Sequence, residues 1–342
     1  MKRFFSAALL LCMVSTQSGY AQNSSVDRKQ FFADSSIINA TIVTNLSKVF
    51  NSKISATFPA KFVTTLPDGT PVNEPIQLQM RGHFRRGYCY VPPLKVIFKS
   101  EKQSMLSSLK SLKLVSECKM SKIYDQYLLK EYVIYKIYNL ITDMSFRVRL
   151  LNLTFEDSLG KKKPVTEHAF LMEDIKDLAK RNGCVEWKKG SVVTETTNRK
   201  HMTLVSIFEY MIGNTDWAVP VDHNIKLIVP EQDSTAKPYA VAYDFDYSGF
   251  VNTEYAVPDE RLEIENVRQR LYRGFPRSMS EIKEALEVFQ RQKGNIYATV
   301  KTFDLLSSSS KSEIVEYLDD FYDTIKDPKS VKSVFIDNAR TK

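Results

Sequence analysis

The sequence predicts an α+β chain in which a β-rich N-terminal lobe with one helix, residues 22–165, precedes a mostly helical C-terminal lobe, residues 166–342. Three observations predict it. Between Ile38 and Asp157 the chain is a succession of strand-length apolar runs separated by turn residues. One long stretch within that region has helical periodicity instead. In the second half, helical periodicity and helix-start signals take over.

Taken in order, the chain begins with "MKRFFSAALLLCMVSTQSGYAQ", where Lys2 and Arg3 precede an apolar run from Phe4 to Val14 and small residues at Gly19 and Ala21. This is the pattern of a secretory signal peptide, residues 1–21, cleaved before Gln22. The apolar run is too short to span a bilayer, and no later segment offers ~20 uninterrupted apolar residues. The runs "ATIVTNL", "SKISATF", "KFVTTL", "IQLQMRG", "LKVIF", "SLKLV" and "RVRLLNLTF" read as strands, with Asp68-Gly69 marking a hairpin. The helix is "DQYLLKEYVIYKIYNLI", with Leu129, Val133, Ile137 and Leu140 on one face. Tyr127, Tyr132, Tyr135 and Tyr138 within it read as packing residues, not a stacking platform for bases. In "MTLVSIFEYMI" Leu204, Phe208 and Met211 share a face, and capping boxes are expected at Ser278 with Glu281 and at Ser310 with Glu313.

Composition sets limits. The 342 residues are 43% hydrophobic and 26% charged, ordinary for a globular protein. The formal net charge of +8 loses two units with Lys2 and Arg3, and the basic residues are spread along the chain. A surface with a slight preference for anions therefore fits better than nucleic-acid binding. Of the cysteines beyond the signal peptide, Cys89 and Cys118 lie on or beside strand-like segments and are expected to pair, leaving Cys184 free. No CxxC, HExxH or GxSxG occurs, so zinc-ribbon, zinc-protease and serine-hydrolase chemistry have no support. His83, His168 and His201 read as surface or structurally satisfied residues.

Two loops carry the chemistry. "IGNTDWAVPVDHNIKLI" sets Asn214, Asp216, His223 and Asn224 between a helix and a strand, and "AVAYDFDYSG" sets Asp244 and Asp246 at a strand end before a glycine. Taken singly, Asn214 and Asp216 better suit a turn cap after the helix, and Asp244 and Asp246 suit one buried and one solvated turn residue. Together they supply what phosphoryl transfer needs: a carboxylate near the attacking hydroxyl and oxygen ligands for a hard cation. On that reading Asp216 is the catalytic carboxylate, Asn224, Asp244 and Asp246 are metal ligands, and His223 is an orienting residue. Lys95 in "PPLKVIF" and Arg81, Arg85 and Arg86 in "MRGHFRRG" are candidate phosphate contacts, although a lysine such as Lys95 is more often an ordinary strand-edge residue and only its place in the order of motifs raises it.

The sequence from about Ile76 to Gly249 resembles the CotH kinase family, secreted or spore-coat proteins. "QLQMRGHFRR" is similar to that family's Arg-Gly-Asn-Ser strand and turn, "PPLKVIF" to its lysine strand, and "FLMEDIKDLAKR" to its glutamate segment, here Glu173. "GNTDWAVPVDHN" resembles the catalytic loop and "AYDFDYSG" the metal loop. The resemblance implies an atypical protein-kinase-like two-lobed fold. It also implies transfer of the γ-phosphate of ATP, with Mg²⁺ or Mn²⁺, to a protein, the chain itself or another extracytoplasmic acceptor. Arg81, Lys95 and Glu173 would then serve the nucleotide. Two departures from the family pattern, Trp217 in place of arginine and the extra "AVPV", keep a catalytically inactive pseudokinase, acting as a binding module, as the alternative.

Overall fold

The fold is that of a computed structural model, which describes residues 26–52, 56–82, 88–98, 105–233 and 235–341. The signal-peptide segment and His83, Arg85 and Arg86 lie outside the described residues. Seven strands, β1 (Ile38–Thr44), β2 (Thr57–Thr65), β3 (Pro71–Met80), β4 (Leu94–Phe98), β5 (Ser111–Ser116), β6 (Val148–Asp157) and β7 (Val165–Met172), form a closed barrel in the order β1-β2-β3-β4-β5-β7-β6. Closure comes from β1 pairing parallel to β6, from Ile38 opposite Leu151 to Thr44 opposite Asp157. The expected two-lobed protein-kinase-like fold with a helical C-terminal lobe is therefore corrected to a closed mixed barrel plus helices. The pairing that closes the barrel joins segments far apart in sequence, so no local signal announces it, and it leaves neither β1 nor β6 as an open edge.

Alternation along the strands fills the barrel with Ile42, Phe62, Leu78, Val96, Leu112, Leu114, Leu153 and Leu171. At the Asp68-Gly69 hairpin, Gly69 takes φ +86° and Leu66 N–H donates to the Thr70 carbonyl at 2.9 Å. "ATIVTNL" is strand only to Thr44, because Asn45 accepts from Lys48 N–H at 3.0 Å and caps a short helix, α2 (Leu46–Asn51). It follows α1 (Arg28–Ala33). Strand β7 crosses the expected lobe boundary at residues 165/166 and belongs to the barrel.

The helix α3 (Lys122–Ile141) packs on the outside of the barrel, where Tyr132 and Tyr135 meet Phe170 at ring distances of 6.1 and 5.6 Å. Its tyrosines are buried in a second core shared with the rest of the chain. That part holds α4 (Ile175–Arg181), α5 (Arg199–Ile212), α6 (Met279–Lys301), α7 (Ser308–Lys326) and α8 (Pro328–Lys332). It also holds an antiparallel sheet in the order β10-β9-β8, made of β8 (Cys184–Glu186), β9 (Ile225–Pro230) and β10 (Tyr239–Ala242). Ser278 and Glu281 form the capping box of α6. α7 instead starts one turn before Ser310, with Ser307 as its cap, and Glu313 pairs with the buried ammonium of Lys130 at 2.7 Å.

Cys89 and Cys118 are joined in a disulfide, and Cys184 is free and buried. The bridge closes a loop with a sequence separation of 29, worth ~3 kcal/mol by loop-closure entropy. No helix among the described residues is long and apolar enough to cross a membrane.

Candidate functional site

Helix α5 ends at Gly213, which takes φ +65° in a left-handed C-cap. A Cβ there would come within 1.9 Å of the Tyr317 hydroxyl, so no other residue fits without rearrangement. The chain then turns sharply. The Asp216 N–H donates to Asn214 Oδ1 at 3.1 Å, and Asn214 Nδ2 donates to Glu209 Oε2 at 3.0 Å. The Asp216 carboxylate is held at both oxygens: His223 Nε2 lies 2.7 Å from Oδ1, and Asn224 Nδ2 donates to Oδ2 at 3.0 Å and to the Asp216 carbonyl at 2.7 Å.

The extra residues of "AVPV" do not separate these groups. Ala218 and His223 exchange backbone hydrogen bonds of 2.9 and 3.0 Å, so Val219–Val221 loops out as one 3₁₀ turn and Asn224 returns beside Asp216. Trp217 is 2% exposed and part of the core. The Arg273 guanidinium lies 5.5 Å over its ring and donates to the carbonyls of Thr215 and Trp217, so an arginine supplied from elsewhere flanks Asp216.

The second loop is brought to the first by the β9–β10 hairpin. Ile225 pairs with Ala242, and one step on the Tyr243 N–H donates to the Asn224 carbonyl at 3.0 Å, placing Asp244 next in line. Asp244 takes φ +67° and its N–H donates to the Tyr135 hydroxyl at 2.9 Å. Asp222 and Asn224, both at φ +51°, are left-handed too. Three non-glycine residues held in that region within two touching loops is the kind of strain that collects at functional sites. Beyond the loop, Gly249 N–H donates to the Gly213 carbonyl and Phe250 N–H to that of Ile212, pinning the second loop to the end of α5. Asp246 is buried, accepts from the Tyr255 hydroxyl at 2.9 Å, and lines a small cavity with Glu117 and Glu131.

The expected nucleotide residues divide. Arg81 acts electrostatically on Tyr243 and on Lys113 of β5, and Lys113 also feels Asp244. The Lys113 ammonium sits 4.1 Å over the Tyr243 ring, with that of Lys226 at 5.7 Å. Burial, followed by the charge of Arg81, pushes Lys113 down to about 7. Lys95 is its cross-strand neighbour on β4, one strand further from β7. Glu173 is committed elsewhere. It accepts from Arg181 Nε at 3.0 Å and from Arg147 N–H at 3.1 Å, and lines a different cavity, of about 460 Å³, with Arg28 and Asp177. Lys113 was invisible in "SLKLV", where an outward lysine between inward leucines looks like any strand lysine.

Asp216 and His223 open onto a cavity of about 810 Å³ whose walls include Val221, Val257, Leu262, Arg261 and Arg273. A second polar cluster lies where β5, α3 and β7 meet. One ligand-type atom from each of Glu117, Asp125 and His168 lies within 4.8 Å of the others, a set able to hold a divalent cation. Burial and then the Asp125 charge push Glu117 up to about 7, and the 2.6 Å hydrogen bond with Asp125 raises His168. These residues are scattered in sequence without a ligand motif, so sequence reading passed over them.

Comparison of the chain with protein-family models, with curated proteins and with solved structures finds no match in any of the three.

Proposed function

We propose that the chain is a secreted, metal-dependent phosphotransferase that moves the γ-phosphate of ATP to a hydroxyl of an extracytoplasmic protein or of itself, as the motif resemblance to CotH kinases implies. The observation that carries this reading is the Asp216 carboxylate, fixed by Asn224 and His223 at the wall of a large open cavity. The disulfide suits an oxidising compartment.

The donor set fits Mg²⁺ or Mn²⁺. Asn224 turns its Nδ2 to Asp216, which leaves its Oδ1 as a neutral oxygen donor. Among the described residues, no group donates a hydrogen bond to the Asp244 carboxylate, so it remains available as a charged donor. Asp246 would contribute as a further ligand or as a loop anchor, the role its bond to Tyr255 favours. Bound metal-ATP supplies the transferable phosphoryl group. Arg81 and Lys226 supply the positive charge around Tyr243 that phosphates require, and a bound phosphate would favour the protonated form of Lys113, which burial otherwise holds at about 7. Asp216 accepts the proton of the acceptor hydroxyl, a task for which its carboxylate is already oriented.

The test is transfer of label from γ-labelled ATP to the protein itself, to casein or to co-secreted proteins, with Mg²⁺ or Mn²⁺. Asp216→Asn should spare ATP affinity and cut turnover by ~10² to 10⁴. Equal transfer by the variant removes Asp216 from the chemistry. ATP binding without transfer to any acceptor favours the inactive binding module, and no binding with either metal ends the enzyme reading.

A further inference from the structure

We propose that Glu209, in the last turn of α5, is a positioning residue for Asp216 that acts through Asn214. The proposal rests on the reading of Asp216 as the catalytic carboxylate. Glu209 and Asn214 are each 1% exposed. Asn214 is fixed three times: its N–H donates to the Glu209 carbonyl at 2.8 Å, its Nδ2 to Glu209 Oε2 at 3.0 Å, and its Oδ1 accepts the Asp216 N–H at 3.1 Å. The side-chain amide is thus a strut between the helix end and the Asp216 backbone.

A buried carboxyl is a costly way to hold an amide, since removing such a group from water is repaid only by the hydrogen bonds it makes. Glu209 makes one through Oε2, while Oε1 has no partner among the described residues. Burial pushes the carboxyl up to about 8. The ionisable groups that face it are Arg273, Asp216 and Tyr138 of α3. Arg273 holds the carbonyls of Thr215 and Trp217, so Asp216 is clamped between a cation on one side and the Glu209–Asn214 strut on the other. A residue needed only for folding could be apolar here. The strut instead aims one peptide, that of Asp216, and through it the carboxylate.

Two substitutions separate positioning from plain packing. Glu209→Leu keeps the bulk and removes the acceptor, whereas Glu209→Gln keeps an oxygen that can accept from Asn214 Nδ2. Glu209→Leu should leave the KM for ATP unchanged and lower kcat by ~10², the scale expected for a small misplacement of a reacting group. It should also speed amide hydrogen exchange at Asp216, and Glu209→Gln should restore both. Wild-type kcat and exchange in Glu209→Leu overturn the proposal, as does a matched change of KM and kcat that Gln fails to rescue. The exchange measurement stands apart from catalysis. If wild type transfers no phosphate, the functional reading falls, and exchange at Asp216 alone decides whether Glu209 positions that loop.

Discussion

Lys95 and Lys113 are neighbours across one strand pair, and Lys113, on the strand that pairs with β7, feels the charge of Asp244. The sequence showed two lysines on two strands; which strand lies against the second loop depends on β5 pairing with β7, a contact between distant segments. If phosphates bind beside Asp244, Lys113→Met should weaken metal-ATP binding by ~10-fold or more, the loss of one charge-assisted contact. Lys95→Met should bind as wild type does. Calorimetric titration of both variants checks this, and the reverse order of effects would return the phosphate role to Lys95. Trp217 teaches a related lesson. Compared with the family's motif it looks like a lost arginine, whereas in the fold it is a core residue and Arg273 stands beside Asp216 from another part of the chain.

Local elements were legible where local chemistry decides them: the Asp68-Gly69 hairpin, α3 by its periodicity, α6 by its capping box. What the sequence did not show is how the strands pair, a matter of tertiary contacts: the parallel β1–β6 seam, and the joining of β8 to β9 and β10 in one sheet. The Glu117, Asp125 and His168 cluster belongs to this second kind, since one residue comes from each of three converging segments. It has a measurable signature. Glu117 titrates near its usual range unfolded but at about 7 folded, because burial and Asp125 favour its neutral form. The folded state therefore holds a proton that the unfolded state has released. The associated stability is full below pH ~4.5 and is lost as pH rises through about 7. Relative to wild type, Glu117→Gln should gain stability between those limits, by less than the ~3 kcal/mol that an unscreened shift of that size would give. Urea titrations at pH 5 and 8 measure it, and equal differences at both would mean that Glu117 ionises freely. A divalent cation held by the cluster would oppose the trend, so the series belongs both in chelator and in added Mg²⁺ or Mn²⁺.

At the scale of the molecule, the candidate site is assembled from two cores. The barrel contributes Lys113 and Arg81 from the outer faces and ends of its strands, and the core of helices and small sheet contributes Asp216, Asn224 and Asp244. The helical half already sets Arg273 beside Asp216 and Lys226 over Tyr243, but Lys113 and Arg81 join them only through packing of the barrel on that half, which is why the motif order could suggest the site without showing its geometry. A ligand carrying both metal and phosphate should bridge the two, stabilising the folded protein by about 2.7 kcal/mol at 100 times its Kd. The bridge can be tested as a coupling. Lys113→Met, Asp244→Asn and the double variant, with wild type, form a cycle for metal-ATP binding free energy and a second for stability without ligand. The second cycle measures the direct Lys113–Asp244 interaction, which is present without nucleotide. If one ligand engages both groups, the binding cycle should show 0.5–3 kcal/mol of coupling, a range typical of residues sharing a partner, beyond that in the ligand-free cycle. Losses that add within ~0.5 kcal/mol would mean that cation and carboxylate serve different ligands. The phosphotransferase reading would then lose the shared metal-phosphate centre on which it depends.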